Sequence, residues 1–170
     1  ELPSGLQFCA SLEYLEISGC RNLKSIPESL HSCAALQKFV VRNCSELSSL
    51  RGVPSVIRHL EIIRCGIDEL PSGLQFCASL EYLEIRSCRN LKSIPDLGEL
   101  FHSLINLKIS NCPNLRLKLR RGGRLKTLII GGYIEELDAF PIQSSHASLK
   151  KLRLRGSRTL NSLPDEIRHF

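Results

Sequence analysis

Eight cysteines carry most of the reactive chemistry available to this chain of 170 residues, because a thiol can form a disulfide, bind zinc or attack a substrate. Five of them recur at intervals of 24, 21, 23 and 24 residues, at Cys20, Cys44, Cys65, Cys88 and Cys112. The other three each lie three residues before a leucine, at Cys9, Cys33 and Cys77. The chain has no C-x-x-C pair and its five histidines share no spacing, so a zinc site has little support.

Motifs for catalysis or phosphate binding are absent from the sequence. None of G-x-x-x-x-G-K-S/T, H-E-x-x-H and G-x-S-x-G occurs. The carboxylates Glu135-Glu136 and Asp165-Glu166 form adjacent pairs without a partner histidine, and we interpret them as solvated surface. We therefore expect a protein that is not an enzyme and that uses no cofactor or metal.

The regular cysteine spacing is part of a longer repeat, which supplies the elements that must position these residues. The stretch Leu12–Pro27 reads L-x-x-L-x-I-x-x-C-x-x-L-x-x-I-P, and about seven versions of it follow one another at steps of 21 to 24 residues. The first, fourth and sixth positions of every copy are aliphatic or Phe. At the sixth position, for example, stand Ile17, Val41, Ile62, Ile85, Ile109, Ile130 and Leu154.

This pattern predicts an α/β fold of the leucine-rich-repeat type. The fourth and sixth positions alternate with polar neighbours, which indicates a short strand with one buried face. One such strand cannot bury its apolar face alone, so neighbouring repeats must stack into a right-handed solenoid with a parallel sheet on its concave side. Prolines after each strand predict irregular or 3₁₀ segments on the convex side. We expect residues 1–170 to form a single array and to be a fragment of a longer one.

The repeat frame gives the cysteines a structural interpretation. The five regularly spaced cysteines occupy the ninth position of their repeats, where a small thiol can pack inward and bond weakly to the backbone of a turn. Stacked residues lie about 4.8 Å apart with parallel side chains, whereas a disulfide needs Cβ atoms that converge to about 3.8 Å. All eight are therefore predicted to be thiols, which favours a cytoplasmic protein.

Function is expected at the strand positions that point away from the core, which are the third, fifth, seventh and eighth of each repeat. These positions include Tyr and Arg, two residue types enriched at binding hot spots. A variable solvated surface without a ligand is the alternative. The candidate protein-binding residues on the concave face are Tyr14, Val40, Arg42, His59, Ile63, Tyr82, Arg86, Lys151, Arg153 and Arg155.

Charge is unevenly distributed along the chain. Residues 1–100 hold 10 Lys or Arg against 12 Asp or Glu, and residues 101–170 hold 13 against 5, so the net charges of −2 and +8 add to +6. A basic end can attract an acidic protein surface, nucleic acid or anionic lipid. No aromatic residue interrupts the basic run from Arg116 to Arg124, so a stacking platform for bases is missing. We therefore expect an acidic protein partner and no nucleic acid. No apolar run approaches 18 residues, so we also expect no membrane span.

The repeats resemble those of plant intracellular immune receptors, the NLR disease-resistance proteins. The resemblance rests on Leu-x-x-Leu-x-Ile followed by C-x-x-L-x-x-L/I-P, as in CRNLKSIP and TLNSLP, and it covers the whole chain. It implies a region that recognises a pathogen effector or a guarded host protein and that helps to hold the receptor's own nucleotide-binding domain inactive. The alternative is the substrate-receptor array of an F-box ubiquitin ligase, whose repeat cysteine is followed by Ile-Thr-Asp-like residues that are absent here.

Overall fold

The computed structural model describes residues 5–71, 73–94, 102–115, 124–132 and 148–155. Its main element is a parallel sheet of seven strands, each five residues long. In the order in which they pair, these are β1 (Tyr14–Ser18), β3 (Lys38–Arg42), β5 (His59–Ile63), β6 (Tyr82–Arg86), β7 (Asn106–Ser110), β8 (Thr127–Gly131) and β9 (Lys151–Arg155). Consecutive repeats are therefore neighbours in the sheet, and the predicted parallel-sheet solenoid with little helix is confirmed.

The register places equal repeat positions side by side. Phe39 of β3 lies opposite Leu60 of β5, and Leu83 of β6 lies opposite Leu107 of β7. Because the side chains of a strand alternate between its two faces, this register sends the second and fourth residue of every strand to the same side of the sheet. Those residues form the core: Leu83 and Ile85, for example, are completely buried.

The side of the core opposite the sheet is built from short extended and 3₁₀ segments. Three 3₁₀ helices occupy Leu6–Phe8, Glu28–Ser32 and Leu74–Phe76 in the described part of the chain. A second, two-stranded sheet pairs β2 (Ser25–Ile26) with β4 (Ser49–Leu50). Pro27 immediately precedes the second 3₁₀ helix, where its missing N–H removes no intrahelical hydrogen bond.

Six of the eight cysteines are buried, and the thiols of five of them contact a backbone carbonyl group of the preceding repeat. The sixth, Cys112, contacts the Ser110 carbonyl of its own repeat at 3.4 Å. The Cys33 thiol donates to the Leu6 carbonyl at 3.1 Å, and the Cys65 thiol to the Val41 carbonyl at 3.6 Å. Cys20 is exposed, which corrects the expectation that the ninth-position thiols pack inward, and Cys9 is exposed as well. Their thiols contact only nearby carbonyl groups of the same chain segment, those of Ser18 and Gly5.

The eighth position of each described repeat lies after the strand and adopts a left-handed backbone conformation. The sequence interpretation counted this position with the outward-facing strand residues, but each strand ends one residue earlier. The φ angles are between 53° and 72° at Gly19, Asn43, Arg64, Ser87, Asn111 and Gly132. The bend turns each N–H toward the next strand: the Asn43 N–H, for instance, donates to the Ile63 carbonyl at 2.9 Å.

Candidate protein-binding surface

The outward face of the sheet consists of the first, third and fifth residue of each five-residue strand. These residues point away from the core because the second and fourth are buried against it. All ten residues that the sequence predicted for partner binding lie on this face, in three rows that run across the strands. Their exposure differs widely: Tyr14 is 48 % exposed, whereas Val40 is 0 % exposed.

Glu61 is the centre of a polar network on the outward face. It is only 8 % exposed and is the one buried charged residue in the described part of the chain. The Arg42 guanidinium donates to one of its carboxylate oxygens at 2.6 Å, and His59 Nε2 lies 2.7 Å from the other. Burial by itself raises the pKa of Glu61, but the hydrogen bonds from His59 and Arg42 outweigh burial and hold that pKa below its usual value.

Val40 and Ile63 are covered, which corrects their prediction as residues available to a partner. Val40 lies between Glu16 and Glu61 in the register of the sheet, and the Arg42 guanidinium reaches both of these carboxylates, at 3.8 and 2.6 Å. The Arg42 side chain therefore passes above Val40. Ile63, which is 6 % exposed, lies between the strand positions of Arg42 and Arg86.

An aromatic pair continues the network toward the centre of the sheet. The rings of His59 and Tyr82 stack with centroids 4.0 Å apart and planes 5° from parallel. The Tyr82 hydroxyl donates to Glu84 at 2.6 Å and accepts from Lys108 Nζ at 2.7 Å. Burial, and then the hydrogen bond to Glu84, raises the pKa of Tyr82 well above its usual value, so this hydroxyl remains a proton donor at physiological pH.

Two other members of the network, Tyr14 and Arg86, are more exposed than its centre. At β1, the Tyr14 hydroxyl donates to Glu16, and Lys38 Nζ lies 5.4 Å from the centre of the Tyr14 ring. At β6, the Arg86 guanidinium lies 4.0 Å from Glu84. Salt bridges, hydrogen bonds and ring contacts thus connect five strands that are consecutive in the sheet, namely β1, β3, β5, β6 and β7.

Several members of this network were not among the sequence-predicted site residues. They are the three glutamates of the middle row, with the lysines beside them: Glu16, Glu61, Glu84, Lys38 and Lys108. The recurrence of Glu at the fifth repeat position was visible in the sequence. Its significance depends on which cations reach it from neighbouring strands, and only the structure shows this.

Lys151, Arg153 and Arg155 of β9 form a separate basic strand. All three are exposed, and their partners in the register are the uncharged residues Thr127, Ile129 and Gly131. None of the salt bridges among the described residues includes them. The structure therefore does not bring them together with the network around Glu61.

Neither a metal site nor a membrane span is present in the described ranges. They hold no group of three or more His, Cys, Asp or Glu residues that could bind a metal ion. They also hold no helix long and apolar enough to cross a membrane.

Comparisons with known proteins agree with this architecture. The family model for the leucine-rich repeat matches residues 11–33. Among solved structures, the chain resembles the leucine-rich repeat domain of the type III effector XCV3220 (XopL), with a TM-score of 0.53, 18 % sequence identity, and coverage of 90 % of this chain and 72 % of that one. The search of curated proteins found no significant match. At 18 % identity the structural likeness shows the fold alone. A leucine-rich-repeat domain is therefore present.

Proposed function

We propose that this leucine-rich-repeat domain binds a protein partner through the outward face of its sheet and performs no catalysis. Domains of this architecture generally serve protein–protein interaction. The observation that carries the proposal is the network around Glu61, which holds Arg42, His59 and Tyr82 in fixed positions on an open surface. Side chains that are ordered before binding lose less conformational entropy when a partner docks.

The residue types on this face fit a protein partner. Tyr and Arg dominate binding hot spots because they combine a large contact area with directed hydrogen bonds. Tyr14 and Arg86 are exposed members of the network, and both already contact a glutamate. A partner could therefore cover the partly buried centre while its own side chains reach Tyr14 and Arg86.

The finer part of the proposal is that the domain belongs to a plant intracellular immune receptor. Its support is the repeat sequence CRNLKSIP at 88–95 and the resemblance that this sequence carries. In that setting the outward face recognises a pathogen effector or a guarded host protein. The basic strand of Lys151, Arg153 and Arg155 contacts an acidic surface of the receptor's own nucleotide-binding domain and contributes to autoinhibition.

A pair of arginine variants tests the binding face. The Arg86→Glu variant reverses a charge on the outward face, whereas Arg51→Glu reverses one beside the 3₁₀ helix Glu28–Ser32. Each arginine is at least half exposed and lies within 4.0 Å of one glutamate, so the two variants make the same change of charge beside one carboxylate. Partners captured from plant extract by the wild-type chain should bind Arg86→Glu at least about tenfold more weakly and Arg51→Glu unchanged. Equal loss in both variants, or in neither, contradicts the proposal.

A further inference from the structure

A groove runs along the loop edge of the sheet, beyond the ends of the strands. Two adjoining cavities of about 420 and 510 Å³ share Ser45 and Arg64 in their walls. We call this feature the loop groove, and its principal lining residues are Arg21, Ser45, Arg64, Gly66, Arg89 and Asn90. It is separate from the outward face, because these residues follow the strands rather than form them.

A shortened turn at Gly66 forms part of the wall of the loop groove. In the neighbouring repeats two residues separate the ninth-position cysteine from the next core leucine, as with Arg89 and Asn90 after Cys88. In the third repeat Gly66 alone fills this interval between Cys65 and Ile67. A Cβ atom on Gly66 would lie 2.1 Å from the backbone carbonyl oxygen of Ser45, so no side chain can enter there. Gly66 therefore packs directly against the Ser45 backbone, and both residues lie in the wall of the loop groove.

Arg64 occupies a backbone conformation that arginine rarely adopts. Its φ angle is 53°, in the left-handed region. Of the six described residues at this repeat position, two are glycine, two are asparagine and one is serine, and Arg64 alone is charged. Gly and Asn tolerate the left-handed region better than arginine, and such strain is concentrated at functional positions. The left-handed turn therefore does not account for an arginine at this position, which indicates a role for its side chain in the groove.

The loop groove has unneutralised positive charge. Arg21, Arg64 and Arg89 are exposed, and no carboxylate lies within 4.0 Å of their side-chain nitrogens in the described ranges. Among the described residues, no Asp or Glu lines either cavity. The Ser45 hydroxyl already donates to the Arg21 carbonyl at 3.5 Å, and the Asn90 amide donates one hydrogen to the Gly66 carbonyl at 3.2 Å. An amide group carries two hydrogens, so Asn90 has a second one to donate beside the guanidinium groups.

We propose that the loop groove binds an oxyanion carried by an extended segment of a protein partner, either a phosphorylated side chain or clustered carboxylates. Guanidinium groups bind both through paired, charge-assisted hydrogen bonds. An extended segment suits the site because its arginines are spread over repeats one, three and four. Single-stranded nucleic acid is disfavoured because none of the described residues that line the two cavities has an aromatic ring.

Binding of three short synthetic peptides to the whole chain tests this proposal. The peptides share a Gly/Ser-rich sequence and carry one phosphoserine, three glutamates or neither, and inorganic phosphate serves as a competitor. We expect the phosphoserine or the glutamate peptide to bind and the neutral peptide not to bind. Displacement of the phosphoserine peptide by inorganic phosphate identifies the phosphate group as the recognised group, and preference for the glutamate peptide identifies carboxylates. Added salt should weaken either complex. Failure of both anionic peptides to bind overturns the proposal.

Three variants locate the bound peptide. The Arg64→Asn change removes the charge but suits a left-handed backbone, so the variant should unfold at the same or a higher temperature than the wild type. It should nevertheless bind the anionic peptide at least about tenfold more weakly, as should Arg89→Gln. Arg51→Gln, at an exposed arginine outside the loop groove, should bind like the wild type. Unchanged binding by both groove variants refutes the site. The Arg86→Glu variant separates this proposal from the one for the outward face: it should weaken binding of the captured partner but leave binding of the anionic peptide unchanged.

Discussion

The imidazole of His59 lies face to face with the ring of Tyr82 on the next strand, with 4.0 Å between the ring centroids. These two residues occupy the same position of consecutive repeats and are direct partners in the register of β5 and β6. On one side His59 contacts the buried carboxylate of Glu61, and on the other Tyr82 contacts Glu84 and Lys108. The ring pair therefore joins two charged clusters that would otherwise be separate.

The first prediction separates the ring of Tyr82 from its hydroxyl. Tyr82→Phe keeps the stack but removes the hydrogen bonds to Glu84 and Lys108, and it should lower the free energy of unfolding by about 1 kcal/mol. Tyr82→Ala also removes the stack and buried ring area and should lower it by about 3 kcal/mol or more. Urea unfolding measures both values. Equal values for the two variants would show that the ring contributes nothing.

The second prediction concerns the pH dependence that Glu61 produces. Because its pKa in the folded state is below the ordinary value of 4.5, ionised Glu61 stabilises the fold above that pH. This contribution is lost as the pH falls through the lowered pKa. The unfolding free energy of the wild type should therefore fall more steeply between about pH 5 and pH 3 than that of Glu61→Gln. Glu46→Gln, at an exposed carboxylate, serves as the control and should keep the wild-type slope.

The third prediction concerns the reactivity of the thiols. A colorimetric disulfide reagent should titrate eight thiols in denaturant without reductant, and a count of four or fewer would contradict the assignment of reduced cysteines. In the native protein the exposed Cys9 and Cys20 should react first. The remaining six should react slowly because they are buried, and burial raises the pKa of Cys65 and of Cys77 to about 11. Mass spectrometry of partly labelled protein identifies the order.

The fourth prediction tests the core face of β6. Leu83→Asp or Ile85→Asp places a charge at a completely buried position and should unfold the neighbouring repeats. Arg86→Ser lies on the same strand but is exposed, and it should change the unfolding free energy by no more than about 0.5 kcal/mol. Circular dichroism during heating distinguishes these results. A cooperative transition at the wild-type temperature in either Asp variant would contradict the described packing.

The fifth prediction tests the proposed role of the basic strand. Replacement of Lys151, Arg153 and Arg155 by Glu should leave the solenoid folded, since all three side chains are exposed. In the parent receptor it should weaken binding to the nucleotide-binding domain and produce cell death in leaf tissue without a pathogen. Added salt should weaken the wild-type contact in the same direction. Wild-type behaviour in death, effector response and binding would mean that the basic strand is only solvated surface.

The sequence alone determined the sheet and its core. Inward residues such as Leu83 and Ile85 follow from alternation, which is a local property of any strand, and the repeat period then fixes their neighbours. The burial of Cys44, Cys65, Cys88 and Cys112 is similarly determined, because equal repeat positions must stack when strands pair in parallel, but Cys20 is exposed. The 3₁₀ segments could be predicted from proline and from the short repeats, since 21 to 24 residues leave little length for a helix.

The tertiary structure decided which outward residues are available and which are covered. Val40 points outward as its position predicts, but Arg42 closes over it because carboxylates on both neighbouring strands attract the guanidinium. The low pKa of Glu61 and the unneutralised charge of Arg64 likewise depend on side chains that approach, or fail to approach, from other repeats. A repeat pattern specifies the face of the sheet from which each side chain projects, because side chains alternate between the two faces along a single strand. Exposure and charge pairing depend on the reach of long side chains across strands, which only the assembled sheet determines.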